Sequence, residues 1–202
     1  MSNHVFDTDL HQEMGLMTSF RWQNEPRGVL FMLARYKFVA RMLEGYGHVL
    51  EVGCGDGFGA RLVRPVVGSL TCTDIDSAMI ESAIECQSKF DIEFKNNFEV
   101  EVADAIYSLD VIEHMPFEES RGWIKMLSLC APLVIIGSPS LESQVYASPL
   151  SRENHVNCLS GPALKALMKQ HFKHVLLFSM NDECVHTGFS PMSHYNFAIG
   201  IN

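Results

Sequence analysis

The chain lacks any apolar run approaching the ~18 residues that a membrane-spanning helix requires. Its start also lacks a basic, then apolar, leader, since Asp7, Asp9 and Glu13 stand there instead. From these two absences we expect a soluble, cytoplasmic protein with no membrane span. Six cysteines (Cys54, Cys72, Cys86, Cys130, Cys158 and Cys184) lie far apart without a Cys-x-x-Cys pair, so neither a zinc knuckle nor a dithiol redox motif is indicated. Positive charge is scarce. Fifteen basic against twenty-four acidic side chains leave a net charge of −9, which repels a phosphate backbone and argues against bulk nucleic-acid binding. The basic residues Arg21, Arg27, Arg35, Lys37 and Arg41 gather near the N-terminus, where a solvated helix face accounts for most of them. Internal repeats, low-complexity tracts and Pro/Ser-rich linkers are absent as well. The 202 residues, 47% of them apolar, suffice for one sizeable core, so a single domain is expected.

The chain does contain apolar patterns that alternate between helical and strand-like periods, which indicates an α/β fold. After Pro26, the residues Leu30, Leu33, Ala34, Phe38 and Met42 recur at helical spacing until Gly45 and Gly47. His48 to Val52 reads as a short buried strand. A glycine-rich turn follows, then a helical stretch from Phe58 to Val63 ended by Pro65. Leu70 to Asp76 is a second strand, Ser77 to Lys89 a helix capped by Ser77, and Phe90 to Lys95 a third strand. Asp104 to Asp110, Glu118 to Cys130 and Leu133 to Gly137 continue as strand, helix and strand, which makes a parallel sheet. Ser138 to Ser160 reads as a loop. A helix bearing Leu164, Leu167, Met168 and Phe172 comes next, and Val175 to Met180 and Tyr195 to Ile201 close the chain as an antiparallel pair.

Gly53-x-Gly55-x-Gly57 directly follows a strand, where missing side chains let the backbone approach a bound nucleoside and turn into a helix. A dinucleotide fingerprint counted from Gly53 would need glycine where Phe58 stands; counted from Gly55 it meets Ala60. Glu51 places a carboxylate beside the glycines, which suits a cofactor carrying an ammonium and a sulfonium better than a pyrophosphate. Asp74, ending the second strand, can accept hydrogen bonds from both hydroxyls of a ribose, although an acidic capping turn with Asp76 and Ser77 would use the same residue.

VLEVGCGDG at 49 to 57, TDID at 73 to 76 and SLDVIEHM at 108 to 115 resemble, in order and spacing, the successive motifs of class I S-adenosylmethionine-dependent methyltransferases. The small bacterial enzymes related to the ubiquinone-biosynthesis, type 11 and type 23 methyltransferases are the nearest in character. The resemblance covers roughly residues 48 to 137. It implies a Rossmann-like fold: a seven-stranded, mostly parallel sheet with an antiparallel last strand and helices on both faces. Residues 1–47 would form a helical cap, 48–137 the cofactor core and 138–202 the acceptor side. S-adenosylmethionine is the implied cofactor. Glu51, Gly53 and Gly55 would line its methionine moiety, Asp74 its ribose, Asn97 and Phe98 the adenine edge and face, and Leu109 and Asp110 its flank, with Cys54 and Ile75 also counted as cofactor-binding. The family often has Asp where Asn97 stands; Asp104 is the other residue that could serve there, but it fits better as the opening of the fourth strand.

Methyl transfer needs little machinery, because the sulfonium already activates the methyl group and the protein mainly aligns reactants and excludes water. For a hydroxyl acceptor a base titrating near neutrality helps, and His114 and His155 are the candidates, the first beyond the fourth strand and the second in the loop after the fifth. Asp110, Glu113 and His114 are spaced three and four apart, so with His155 they could converge on a divalent metal, an arrangement similar to that of some metal-assisted O-methyltransferases. Trp22, Arg27, Arg35 and Tyr36 could close a flap over the cofactor's carboxylate. The polar stretch from Asn181 through His186 to His194 and Tyr195 could join an acceptor pocket or a subunit contact. The reading is methyl transfer to a small-molecule or sugar-precursor acceptor, at oxygen, with assembly as a homodimer left open. A noncatalytic cofactor-binding module and a small NAD-dependent oxidoreductase are the competing classes.

Overall fold

The computed structural model describes residues 14–86, 90–97 and 101–202. The acidic start of the chain, the end of the expected helix at Lys89 and Phe98 lie outside the described residues. Two helices, α1 (Leu16–Asn24) and α2 (Pro26–Met42), lead into β1 (His48–Val52). Then follow α3 (Ala60–Val63), β2 (Ser69–Asp74), α4 (Ser77–Glu85), β3 (Glu93–Asn96), β4 (Ala105–Leu109), α5 (Phe117–Cys130) and β5 (Leu133–Pro139). The last third holds α6 (Pro149–Asn154), α7 (Gly161–Met168), β6 (His174–Asn181), β7 (Cys184–His186) and β8 (Tyr195–Ile201). Among the described residues no helix is long and apolar enough to cross a membrane.

The strands form one sheet in the order β3-β2-β1-β4-β5-β8-β6-β7. β1 to β5 pair in parallel, whereas β8 runs antiparallel to both β5 and β6. The seven-stranded arrangement is therefore present, with β7 added as a three-residue eighth strand at the edge. Because side chains alternate across a strand, the sheet divides the core in two. Val49, Cys72, Tyr107 and Ile135 pack against Val29, Met32, Tyr36 and Val39 of α2 on one face. Leu50, Ile106, Val134 and Ile136 pack against Ile124 and Leu127 of α5 and Leu164 and Leu167 of α7 on the other.

Several local expectations change. The cap of α4 is Asp76, whose side chain accepts from Ala78 N, not Ser77. The helix α3 starts at Ala60, not Phe58, and ends at Val63 as expected, with Pro65 in a following 3-10 turn, Arg64–Val66, where its missing N–H costs nothing. The stretch 138–160 is not a plain loop but carries a 3-10 segment, Leu141–Tyr146, and α6, capped by the side chains of Ser140 and Ser148.

Candidate active site

The glycine turn leaves the carboxyl end of β1, the position at which open α/β sheets receive ligands. Its backbone is pinned to the end of β2: Gly53 N and Cys54 N both donate to Thr73 O, and Gly55 N donates to Asp74 Oδ2 at 2.8 Å. Gly53 has φ +83°, and a Cβ there would collide with Val111, so the turn lies directly against the chain that leaves β4. Cys54 is buried beside it.

Glu51 is placed beneath this turn. It is fully buried, with Tyr36 Oη donating to one carboxylate oxygen at 2.5 Å, and Tyr107 Oη (2.8 Å) and Cys72 Sγ (3.4 Å) donating to the other. It faces the α2 side of the sheet, where its carboxylate ties α2, β2 and β4 together at the root of the turn. Burial pushes its carboxyl up to about 7, with the three hydrogen bonds opposing the shift. Tyr36 is thereby committed to the core instead of to a flap.

Asp74 lies half-buried at the end of β2, its second oxygen accepting from Asp76 N at 3.0 Å. Ile75 beside it is 65% exposed, an apolar side chain at the surface. Asn96 donates to Asp74 O, and the Oδ1 of Asn97 is buried without a hydrogen-bond partner. Asp104 stands at the opposite end of the sheet, accepting from His48 N at the start of β1.

Leu109 is buried, and Asp110 follows it in the left-handed region at φ +57°, an uncommon conformation for a non-glycine residue. Arg35 of α2 holds it there, one Nη lying 2.9 and 2.7 Å from the two carboxylate oxygens, while its guanidinium stacks 3.9 Å over the Tyr195 ring. Arg35 thus clamps Asp110 from the acceptor side.

The turn after Asp110 carries Glu113 and His114 on a 3-10 segment, Ile112–His114. It is stitched to the end of α6: Val156 N and Asn157 N donate to Glu113 O, and His114 Nδ1 lies 3.2 Å from Asn154 O. Those bonds bring His155 beside His114, with ring centroids 5.1 Å apart. One ligand atom each from Glu113, His114 and His155 falls within 4.8 Å of the others. Asp110, engaged by Arg35, does not join them, so the expected four-residue metal group contracts to three. Glu113 is fully buried, and neither carboxylate oxygen has a well-formed hydrogen bond among the described residues; the Ser138 hydroxyl, which donates to Pro139 O, and the Glu113 backbone lie close enough to favour its charged form weakly. Burial, then the Asp110 charge, pushes the Glu113 carboxyl up to about 8. Burial, then His114, lowers His155, which keeps that imidazole neutral.

Further buried polar atoms without partners crowd the same end of the sheet: Arg35 Nε, Glu142 Oε2, His194 Nε2, Tyr195 Oη and Asn196 Nδ2. His194 and Tyr195 belonged to a polar stretch conspicuous in the sequence. Glu142 carried no signal there, since one acid in a polar loop is unremarkable.

Residues 50–127 match the family model described as a methyltransferase domain. No curated protein sequence matches the chain. Among solved structures, a chain of the complex between the Haloferax volcanii Trm112 methyltransferase activator and a methyltransferase superposes with a TM-score of 0.69 at 12% identity, over 96% of this chain and 99% of that one. The plantazolicin methyltransferase BpumL, in complex with S-adenosylhomocysteine, gives 0.67 at 13% identity over 92% and 89%. The N-methyltransferase NodS from Bradyrhizobium japonicum, also with S-adenosylhomocysteine, gives 0.64 at 16% over 94% of each chain.

Proposed function

We propose that this chain, whose residues 50–127 match a methyltransferase-domain model and whose fold is that of class I methyltransferases, transfers the methyl group of S-adenosylmethionine to an oxygen of a small hydroxylated acceptor in the cytoplasm. One juxtaposition carries the reading: the glycine turn after β1 lies against Val111, two residues before the buried Glu113 and its neighbours His114 and His155. A cofactor seat and a proton-handling group therefore share one end of the sheet.

Gly53, Cys54 and Gly55 let the backbone approach the methionine moiety, with Glu51 holding the turn from below. Asp74 would hold the ribose hydroxyls, with the exposed Ile75 beside it, and Asn97 Oδ1 would be the acceptor for the adenine edge. Leu109 and Asp110 flank the sulfur side. S-adenosylmethionine, when bound, supplies a methyl carbon already activated by its sulfonium. His155, whose imidazole burial keeps neutral, or His114 beside it would take the proton that the acceptor hydroxyl gives up on methylation.

The test is calorimetric titration of S-adenosylmethionine, S-adenosylhomocysteine and NAD into the wild type and Asp74→Ala. Micromolar binding of the two sulfur nucleosides, weakened at least about tenfold in Asp74→Ala, supports the reading. Binding of NAD alone points to an oxidoreductase, and binding of nothing points to a noncatalytic module.

The unpartnered Glu113 carboxylate favours a second reading of the chemistry. One carboxylate and two imidazoles suit a divalent transition metal and leave coordination positions for an acceptor oxygen, whose proton would then be lost more readily. Activity abolished by exhaustive chelation and restored by zinc, manganese or iron supports it; activity unchanged by chelation rejects it.

A further inference from the structure

Beside His155 opens a cleft of about 420 Å³, within the ~300–1,000 Å³ of small-molecule sites. Its walls come from the 3-10 segment Leu141–Tyr146 and from the chain around α6. Leu141, Val145 and Val156 line it and are 54%, 68% and 63% exposed. Three large aliphatic side chains facing one concavity form the kind of exposed apolar patch that marks a ligand surface, where scattered ones would not. Gln144, Arg152 and His155 supply the polar part of the lining. Gln144 Oε1 lies 3.3 Å from His155 Nδ1, so the amide orients the imidazole that forms the inner wall. Arg152 is the permanently charged side chain on the wall. Its Nε donates to Ala147 O (2.9 Å) and one Nη to Val145 O (3.0 Å), which fixes the guanidinium while its other Nη makes no hydrogen bond among the described residues. In a chain of net charge −9, a held cation beside an apolar wall is a selective feature.

We infer that this cleft is the acceptor pocket and that it selects a molecule with an apolar body ending in a carboxylate, the body lying on Leu141, Val145 and Val156 and the carboxylate meeting Arg152. The inference rests on the methyl-transfer reading and narrows its acceptor class, because a sugar precursor would leave the aliphatic wall against hydroxyls. Charge complementarity sets the distal end of the acceptor and His155 the reacting end, so the distance between Arg152 and His155 becomes a ruler for the substrate.

The experiment uses the full chain saturated with S-adenosylhomocysteine, whose own titration is recorded first. Para-hydroxyphenylpropionate and its uncharged primary amide are then titrated calorimetrically into the wild type, Arg152→Gln and Val145→Asp. Both substituted positions are on the surface, and circular dichroism checks the fold. The carboxylate is expected to bind the wild type about tenfold more tightly than the amide, a preference that Arg152→Gln removes while leaving the amide unchanged; Val145→Asp weakens both. Equal affinities in the wild type, a preference that survives Arg152→Gln, or no binding of either probe at millimolar concentration overturns the inference. If S-adenosylhomocysteine binds while the probes behave in one of those ways, the acceptor class alone is wrong. If S-adenosylhomocysteine itself does not bind, the underlying reading falls and the inference with it.

Discussion

The two halves of the site satisfy their polar atoms in opposite ways. On the cofactor side, Glu51 has donors on both oxygens, Asp74 accepts from Gly55 and Asp76, and the glycine turn is bonded to Thr73. On the acceptor side, Arg35 Nε, both Glu113 oxygens, Glu142 Oε2, His194 Nε2, Tyr195 Oη and Asn196 Nδ2 are buried without partners. Native proteins leave few such atoms, and each costs free energy. Among the described residues, the groups around Glu51 and the glycine turn mostly satisfy one another and contribute stability, whereas those around Glu113 and Tyr195, the half proposed to receive the acceptor, hold a reserve of unsatisfied atoms. Only Asn97 Oδ1, where the adenine edge is proposed to lie, breaks the pattern on the cofactor side among the described residues.

The contrast can be broken most sharply at Glu113. Glu113→Gln keeps the shape of the buried group and removes a carboxylate ligand, so on the metal reading kcat should fall by about a thousandfold, whereas on the imidazole-base reading it should stay within about tenfold. Affinity for S-adenosylhomocysteine should stay within about twofold, and the melting temperature should not drop, because no satisfied interaction is lost. Steady-state kinetics, calorimetry and thermal unfolding on one preparation check all three; a large stability loss would make Glu113 a structural residue.

The opposite outcome is expected at Glu51. Glu51→Ala strips the partners from two buried tyrosine hydroxyls, Tyr36 and Tyr107, and should cost about 3 kcal/mol in chemical denaturation. The same carboxyl sets a pH dependence. Its native value of about 7 lies above the ordinary 4.5, so between those values the folded state binds more protons than the unfolded one. Stability therefore falls as pH rises through that window, by about 2–3 kcal/mol, and is level above it. Glu51→Gln should flatten this slope. Glu113 acts in the same direction up to about 8, so the slope that remains above pH 7 in Glu51→Gln belongs to the acceptor half.

What could be read from the sequence follows the same division. β1 was legible to the residue and α2 nearly so, because an apolar period bounded by Pro26, Gly45 and Gly47 is a local signal. The glycine turn is legible because Gly53, Gly55 and Gly57 all take a positive φ that other residues rarely adopt, and Asp74 closes on it from the next strand. Tyr107 under Glu51 was not, since a tyrosine in an apolar strand announces burial but not its partner 56 positions away. Nor was the Arg35–Asp110 clamp, formed across 75 positions, which removed Asp110 from the expected metal group. The Asp110-x-x-Glu113-His114 spacing showed that these side chains could meet, and the tertiary clamp decided which of them do. β7 is too short to carry a period. Ser148-Pro149 was a helix-opening signal for α6 that the polar surroundings obscured.

The smallest effect tests whether α1 belongs to the cofactor half. Gly15, the residue before α1, offers no side-chain cap, and the cap comes instead from Asp56 in the glycine turn. Its carboxylate accepts from Thr18 N at 2.6 Å and from Thr18 Oγ1 at 3.0 Å. A buried carboxylate at a helix start satisfies free N–H groups and meets the positive end of the helix dipole. The docking also brings the Met17 methyl to 2.9 Å from where a Gly55 side chain would begin, over the proposed methionine seat. Asp56→Ala should cost about 1–2 kcal/mol and Asp56→Asn less, because the amide oxygen can still accept from Thr18 N. If α1 completes the cofactor seat, affinity for S-adenosylhomocysteine should fall about threefold in Asp56→Ala and recover in Asp56→Asn. A stability loss with unchanged affinity would instead make α1 packing alone, and the cofactor half would begin at β1.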